Sequence, residues 1–586
     1  MAGSRERLRS IMFERGTLLG IAALVVYLVL APSHIVDGDN AEFATLGTLG
    51  GTAHPSGYPL YLLWLHATEW IPGASPAHTA NLATAILGAA MVWSLFQACR
   101  AWGASALGAT IASAVIGGAP IVLRITTTAE VFALNCLAVA LVLWLAAAGG
   151  PFRGRRRAIA LGLVAGLGIA NHMTCVLLAP VGLLGVVRAA REDSRARWAT
   201  LALAVVALAV GLLPYAYLFF ASDTPMSWGT VRSFDDLIAM VTRRDYGGPG
   251  AFLPTPNPVP ASEQLLAFAL TLGRTWLWIP LLVGVVTLVA RVARRGDTRW
   301  DWLALALSWL AAGPFLVARF NIEPAGLGLY VSQRFYVLPA LLLTIPVAVG
   351  LGAIDPVLER RRIRPSVACG LVATLGFAAI LAMALPHMSR MQTPAVERYA
   401  GNLLKVLPQD SVLFIGQDDE YFGVGYQQWA LGVRQDVVVV APQLTQLAWY
   451  AERMARRGIA APPGEGHPMV RLVEKLLASG HQVFVEKKRT EVIEHFTTYP
   501  YGTVMKVLPR GTPTPPIDAI VEENKAVYAK FDLGYPLPGT DDEFATAIHY
   551  RYAGTWTTLG HKAEQLGKPE LAAWAYEAAR TIGPQP

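Results

Sequence analysis

Three carboxylates follow the first apolar segment of the chain, in Ile-Val-Asp-Gly-Asp-Asn-Ala-Glu-Phe at 35–43. Asp39 and Glu42 are three residues apart and would share one face of a helical turn. Gly38 lets the backbone bend between Asp37 and Asp39. Such a pair of carboxylates can act as a general base, or Asp37 and Asp39 can hold a divalent cation through oxygen ligands. The same residues also favour a turn and a helix cap, so a solvated connection is a third interpretation.

A stiff loop carries the next two candidates, in His-Pro-Ser-Gly-Tyr-Pro at 54–59. Its two prolines and its glycine fix an unusual backbone path, from which His54 and Tyr58 project. Rigid placement of a histidine and a tyrosine is typical of the wall of a binding site. The segment is equally suited to open the apolar helix expected over 58–71. We predict that both side chains bind substrate.

Two further candidates stand beside apolar segments. Glu130 begins such a segment, where a carboxylate is either favoured by the helix dipole or serves as a second acid of the site. His172 lies at a turn between two short apolar segments, a position that suits a hydrogen-bonded packing residue or a site residue. Both are predicted to bind substrate.

Several arginines depart from the usual bias of positive charge toward the cytoplasmic side. Guanidinium groups suit phosphate recognition, so an anionic lipid head group is a natural partner. The alternative is that these side chains extend to the membrane interface without binding a ligand. Arg244 and Arg334 are the predicted phosphate-binding residues, among the set Arg243, Arg244, Arg274, Arg319 and Arg334.

The composition of the chain is that of a membrane protein. We therefore expect membrane-spanning segments to position the candidate residues. The chain has 586 residues, of which 54% are hydrophobic and 15% charged, whereas soluble domains carry roughly 25% charged residues. The mean hydropathy is +0.42. The net charge of +7 falls in clusters between apolar runs, a pattern of membrane topology and not of nucleic-acid binding. The four cysteines lie within apolar runs and form no readable disulfide or zinc pattern.

Apolar runs of membrane-crossing length predict about eleven transmembrane helices. With the basic clusters cytoplasmic, the N-terminus is cytoplasmic and the polar segments named above share the exterior face with the C-terminal part. Ionisable groups that converge near a membrane are usually functional. The expected spans are 17–34, 78–99, 104–122, 128–148, 158–170, 173–188, 198–220, 274–292, 301–319, 335–353 and 365–386.

The composition changes toward the C-terminus. No lysine precedes Lys405, and the long apolar runs end near Pro386. We therefore predict a transmembrane domain over 1–386, an exterior soluble α/β domain over 387–545 and a tetratricopeptide-like helical hairpin over 546–586. Short apolar strands are expected at 411–416, 436–442 and 481–487, and three acids follow the first, where open α/β sheets place ligands.

Together these segments resemble one family. Gly-Asp-Asn-Ala-Glu at 38–42 and His-Pro-Ser-Gly-Tyr-Pro at 54–59 are similar to the Gly-Asp-x-Gly-Glu and His-Pro-Pro-Gly-Tyr-Pro motifs of polytopic GT-C-type glycosyltransferases, which include an animal protein O-mannosyltransferase. Ala41 and Ser56 depart from the family pattern, but neither change removes a chemical group. Other similar segments are Asn81-Leu82-Ala83-Thr84, Ala129 to Asn135, Asn171-His172 and Trp228-Gly229.

The resemblance implies a GT-C-like fold that moves a sugar, expected to be mannose, from a polyprenyl-phosphate carrier to a hydroxyl on protein at the exterior face. An acid of the first exterior loop serves the acceptor in such enzymes, which by position is Asp39, with Glu42 as competitor, and transfer inverts the anomeric carbon. Arg334 and His172 are candidates for the leaving phosphate, and Trp228 for substrate binding. No nucleotide donor is implied, and a divalent cation stays open.

Two other functions fit the same residues. The acceptor can be a glycolipid or an envelope polysaccharide, or the chain can be a transporter or flippase of a lipid-linked sugar, although transporters usually show internal repeats and broken helices at the membrane midplane. The bias toward alanine, arginine and valine favours a bacterial inner membrane, with membrane lipid as a partner and the C-terminal domain in the periplasm.

Overall fold

The computed structural model describes residues 2–248, 259–360, 392–487, 489–540 and 543–585, together with 378, 381, 382, 384–386 and 388–390. Most of the expected span at 365–386 lies outside the described residues. The chain divides into two compact units. The membrane unit comprises Met1–Ser33, Thr52–Ser222 and Val231–Ser389, and the C-terminal unit comprises His34–Gly51, Asp223–Thr230 and Arg390–Pro586.

The described residues are mostly helical. The α-helices up to residue 360 are α1 Ala2–Leu30, α2 Asn40–Leu49, α3 Pro59–Ala67, α4 Pro76–Ala101, α5 Ala106–Gly118, α6 Pro120–Thr127, α7 Val131–Ala146, α8 Gly154–Asn171, α9 Ala179–Glu192, α10 Arg197–Gly211, α11 Phe234–Val241, α12 Ala261–Thr275, α13 Ile279–Ala293, α14 Arg299–Leu310, α15 Gly326–Leu342, α16 Thr344–Leu351 and α17 Asp355–Arg360. The later ones are α18 Ala395–Val406, α19 Asp418–Gly425, α20 Ala448–Arg456, α21 Pro468–Ala478, α22 Thr490–Ile493, α23 Ile517–Tyr528, α24 Glu543–Gln565 and α25 Pro569–Ile582.

Short irregular turns interrupt or join these helices. Five-residue π-helical turns follow α14 at Ala311–Phe315 and α19 at Tyr426–Ala430. The 3₁₀ turns are Met173–Leu178, Ser194–Ala196, Leu213–Phe219, Arg244–Tyr246, Gly352–Ile354 and Pro442–Leu444.

Helices α8 and α10 of the membrane unit approach each other closely because glycines line their interface. A Cβ atom at Gly162 would lie 2.2 Å from the backbone oxygen of Ala204. A Cβ atom at Gly166 would lie 2.2 Å from that of Leu208, and Gly211 is equally crowded by α8. Small residues at such contacts are typical of membrane helices, whose association depends on close packing.

By length and composition, three continuous helical segments of the described residues are able to cross a membrane: Pro76–Ala101, Met173–Glu192 and Ser194–Phe219. Three bent helix pairs raise the number to six if each pair is one span. The pairs are α5 with α6, bent by 66°, α12 with α13, bent by 109°, and α15 with the segment Thr344–Ile354, bent by 40°. The apolar helices Arg15–Leu30 and Val131–Ala146 are shorter. The count of eleven spans stays a prediction.

The C-terminal unit contains a five-stranded sheet of order β2-β1-β3-β5-β4. Its strands are β1 Val412–Phe414, β2 Val438–Val440, β3 Val483–Val485, β4 Thr497–Tyr501 and β5 Val504–Leu508. The first three are parallel, with Leu413 opposite both Val439 and Phe484, and β5 runs antiparallel to β3 and β4. The three parallel strands lie within the three apolar segments expected from the sequence, whereas β4 and β5 were not expected.

The chain ends in two consecutive helices, α24 and α25. They pack through the rings of Trp556 and Trp574, whose centroids are 5.1 Å apart. The buried face of this pair joins Tyr499 and Ile517 in one hydrophobic cluster with Trp556. A helical hairpin is therefore present at the expected place, while its relation to tetratricopeptide repeats stays a prediction.

Residues 34–51 and 223–230 fold with the C-terminal unit, which the sequence reasoning did not anticipate. Helix α2 packs on α19 and on the π-helical turn that follows it. The backbone N–H of Ile35 donates to Glu397 at 2.8 Å, and Ile35 itself is fully buried. The apolar residues around the acidic motif are thus part of a core formed with residues far away in the sequence.

Candidate functional site

The acidic motif is held at the start of α2 in the C-terminal unit. Gly38 has a left-handed φ of 64°, which turns the chain between Asp37 and the helix. Asp39 is the residue that precedes the helix, but its side chain makes no capping hydrogen bond. The carboxylate oxygens of Asp39 and Glu42 lie within 4.8 Å of each other. The helical spacing thus brings these two acids together as expected.

Burial differs among the three acids. Asp37 and Asp39 are half-buried, while Glu42 is fully buried. Asn40, also fully buried, fixes the turn by accepting a hydrogen bond from the backbone N–H of Val36 at 3.0 Å. The arrangement leaves Asp39 more accessible than Glu42, so Asp39 is the better placed of the pair to meet a substrate.

Glu42 contributes to the electrostatics of a tyrosine in the same unit. Burial raises the pKa of Tyr421 above its usual value, and the negative charge of Glu42 raises it further. The guanidinium of Arg453 and a hydrogen bond with Tyr450 act in the opposite direction. Tyr421 therefore stays protonated at neutral pH and can only serve as a hydroxyl beside the acidic motif.

The membrane unit holds the second group of expected site residues. The hydroxyl of Tyr58 lies 3.2 Å from Nε2 of His54, and their ring centroids are 5.0 Å apart. Tyr58 is buried and has a left-handed backbone with φ 43°, which is uncommon for a residue with a bulky side chain. Such backbone conformations are frequent at functional sites because the surrounding structure must enforce them.

His172 lies in an aromatic cluster of the same unit. Its ring stacks on Tyr58 at a centroid distance of 5.9 Å and contacts Phe132 at 4.9 Å and Phe335 at 6.3 Å. Nδ1 is 2.7 Å from the hydroxyl of Thr174. A hydrogen bond at one ring nitrogen fixes the orientation of the imidazole.

Arg334 and Glu130 form a largely buried ion pair beside this cluster. The N–O distance is 3.2 Å, and the side chains are 14% and 7% exposed. The guanidinium also lies 5.9 Å from the ring centroid of Phe132. Glu130 precedes α7 without making a capping hydrogen bond, so its pairing with Arg334 explains its position better than a helix cap does.

Two further expected residues make contacts of a different kind. Arg244 pairs with Asp235 at 3.0 Å, and both side chains are exposed, so the described contacts of Arg244 are those of a surface ion pair. Trp228 is buried in the C-terminal unit, where its ring centroid is 5.7 Å from that of Trp449. This is an aromatic packing contact, and substrate binding by Trp228 stays a prediction.

The sequence reasoning did not single out two buried polar residues of the membrane unit. Asn81 bridges two segments, since its amide donates to the oxygen of Pro32 at 2.8 Å and accepts from the N–H of Ala129 at 2.7 Å. Arg124 donates to the oxygen of Tyr330 at 2.8 Å and lies 3.7 Å over its ring. An arginine within an apolar segment is itself a signal of function, and that signal could have identified Arg124.

The fold defines the class of the protein. The structure matches that of ArnT from Cupriavidus metallidurans, solved bound to undecaprenyl phosphate, with a TM-score of 0.54 and 16% sequence identity. The match covers 85% of this chain and 99% of ArnT. The chain thus has the fold of ArnT, in agreement with the GT-C-like fold that the sequence resemblance implies.

Family comparisons narrow this class. Residues 39–196 match the family described as the protein O-mannosyl-transferase TMEM260 N-terminal domain, and residues 396–496 match the TMEM260-associated domain 2. Protein O-mannosyl-transferase TMEM260 of Mus musculus is 24% identical over an alignment of 558 positions, and the match covers 88% of this chain and 77% of the mouse protein. These matches confirm the resemblance: over the matched residues the chain is similar to the GT-C-type O-mannosyltransferase family.

Proposed function

We propose that the protein transfers a sugar, mannose in the first instance, from a polyprenyl-phosphate carrier to a hydroxyl group on protein at the exterior face of the membrane. The proximity of the carboxylates of Asp39 and Glu42 carries this proposal. Asp39 accepts the proton of the acceptor hydroxyl while that oxygen attacks the anomeric carbon, and the bond to the lipid phosphate breaks with inversion. Glu42 is fully buried and orients Asp39.

The leaving group is a lipid phosphate, which needs positive charge more than an acid. Arg334 supplies a guanidinium, and the imidazole of His172 is the second candidate to contact the phosphate. Fixed donors aimed at developing negative charge are worth about 10² to 10³ in rate for one donor. The polyprenyl phosphate bound by ArnT and the name of the mouse relative support the proposed donor and acceptor.

His54 and Tyr58 form the substrate-facing wall in this proposal. Their hydrogen bond and the left-handed backbone at Tyr58 hold two rings in one geometry before substrate arrives. Preorganisation of this kind reduces the entropy that must be lost on binding. A divalent cation at Asp37 and Asp39 is a separate proposal, tested by removal of metal ions with a chelator.

The experiment is a transfer assay with the purified full chain in detergent. Polyprenyl-phosphate mannose that is labelled in the sugar is the donor, and secreted or periplasmic domains rich in serine and threonine are acceptors. We expect label on protein, with the anomeric configuration opposite to that of the donor. Label only on glycolipid or polysaccharide would reject the protein acceptor. Movement of the lipid across vesicles without transfer would reject the enzyme.

A further inference from the structure

A basic pocket opens in the C-terminal unit, apart from the residues assigned above. Its volume, including space open to solvent, is about 810 Å³. Its lining includes Asp223, Met226, Trp429, Arg453, Arg456 and Arg457. We refer to it as the arginine pocket. Three arginines and one aspartate give it a surplus of positive charge.

Arg453 is a structural part of the pocket. Its guanidinium donates to Asp223 at 2.6 Å and to the backbone oxygen of Ser227 at 2.6 Å, and its side chain is 11% exposed. Arg456 reaches the other oxygen of Asp223 at 3.2 Å but is 64% exposed. One carboxylate is therefore shared by two guanidinium groups.

Arg457 is the arginine most available to a ligand. It is exposed, and among the described residues no carboxylate lies within 4.0 Å of it. Its guanidinium lies over the ring of Trp429 at 5.9 Å from the centroid, which holds the cation at the pocket without neutralising its charge. Arg456 and Arg457 together present two exposed guanidinium groups in one concavity.

The remaining walls combine apolar side chains with Thr224, Tyr421 and Gln428. Met226 and Met454 are buried residues of the pocket lining, and flexible methionines suit varied side chains. Trp429 belongs to the π-helical turn Tyr426–Ala430, on which α2 packs. The element that supports the acids at Asp39 and Glu42 therefore also forms one wall of the pocket.

We propose that the arginine pocket binds an acidic side chain of the acceptor polypeptide near the hydroxyl that receives the sugar. An acidic residue places its carboxylate against Arg456 and Arg457, and its chain lies on the methionines. A membrane surface is less well suited, since lipid head groups favour basic residues spread over an exposed face. This inference rests on the proposed transfer to protein and adds the acceptor class.

The test measures binding of labelled peptides to the full chain in detergent, without any sugar donor. Two peptides of equal length carry a central threonine, flanked by glutamate in one and by glutamine in the other. We expect the glutamate peptide to bind about tenfold more tightly at low salt, with the preference reduced at high salt by screening.

The variant Arg456→Glu with Arg457→Glu should abolish this preference. Lys530→Glu with Arg580→Glu makes the same change in net charge at exposed positions and should preserve it. Equal binding of the two peptides to wild type, or a preference that survives in the arginine variant, would overturn the inference. Displacement of the glutamate peptide by phosphatidylglycerol in mixed micelles, with no preference over the glutamine peptide, would identify a lipid site instead.

The peptide-binding and sugar-transfer experiments distinguish a failure of the pocket assignment from a failure of the proposed activity. If acidic peptides bind through Arg456 and Arg457 but no donor supports transfer, the proposed activity is wrong and the pocket stands. If transfer proceeds with equal KM for acidic and neutral acceptors, the activity stands and the pocket assignment is wrong.

Discussion

Three variants of the buried ion pair between Arg334 and Glu130 separate its contribution to folding from its contribution to sugar transfer. The pair has an N–O distance of 3.2 Å, and its side chains are 14% and 7% exposed. Removal of one partner of a buried pair typically costs about 3–5 kcal/mol, because the other charge loses its compensation. Arg334→Gln and Glu130→Gln should therefore each lower the stability of the membrane unit by that order.

The double variant distinguishes the two contributions. With both charges removed, the neutral amides no longer bury an unpaired charge, and stability should return to near that of wild type. Sugar transfer should not return, because the guanidinium proposed to face the lipid phosphate is gone. The expected loss in kcat is about 10² to 10³, the typical effect of one donor to a developing negative charge. Glu130→Gln alone keeps the guanidinium and should transfer sugar wherever it folds.

The assay combines thermal unfolding in detergent with the rate of transfer from saturating polyprenyl-phosphate mannose. Arg244→Gln is the matched control, since Arg244 pairs with Asp235 in an exposed position. That variant should change neither stability nor rate. Recovery of wild-type transfer by the double variant would refute the reasoning and make the pair purely structural.

Three further predictions concern other contacts. Arg551→Met should speed hydrogen exchange in α19 and α24. Arg551 contacts Asp419 at 2.8 Å and Glu420 at 3.2 Å, and loss of the guanidinium leaves these buried carboxylates without it at a cost of about 3–5 kcal/mol. Unchanged exchange would contradict this prediction. Burial lowers the pKa of Lys487 from 10.5 to about 8 in the folded protein. Between these two pH values the unfolded chain binds the proton and the folded chain releases it, so the stability of wild type should rise from pH 8 toward 10.5. Lys487→Met should lack that rise, and a wild type without it would contradict the pKa. Tyr58→Phe removes the hydrogen bond to His54 but keeps the ring contacts, so the transfer rate should fall by about two- to tenfold. Tyr58→Ala also removes the ring and should lower the transfer rate far more. Equal transfer rates of the two variants would show that the ring contacts do not matter.

The sequence predicted local features of the fold well. The three parallel strands are short apolar runs between turn residues, and a helical hairpin near the C-terminus was expected from its repeat-like residue spacing. Bends between consecutive apolar helices were not predicted, because they depend on packing. The change of direction between α12 and α13 uses positive φ angles at Leu277 and Trp278, which nothing in residue type requires.

The sequence also did not predict that the acidic motif folds with the C-terminal unit. Ile35 and Val36 are both buried in the C-terminal unit, but in the sequence they read as the end of an apolar segment. The hydrogen-bond acceptor of the Ile35 N–H is Glu397, which lies 362 residues later in the sequence. Contacts of that range leave no trace in local spacing.

Local spacing likewise predicted some pairs of the candidate site and not others. Asp39 with Glu42 and His54 with Tyr58 are neighbours on a helical turn or a short loop, so spacing alone predicted each pair. Arg334 and Glu130 are 204 residues apart and were predicted separately, as a phosphate ligand and as an acid. Only the packing of α15 beside α7 shows that they neutralise each other.

The most direct measurement for the proposed base is the rate of sugar transfer by Asp39→Asn at saturating donor and acceptor. The amide keeps the shape of the side chain but cannot accept the proton, so the rate should fall by about 10² to 10⁴ while the affinity for the lipid-linked donor stays within a few-fold of wild type. Asp37→Asn, one residue before Gly38 in the same bend, should retain transfer. Wild-type transfer by Asp39→Asn would contradict the account, as would a loss of activity confined to Asp37→Asn.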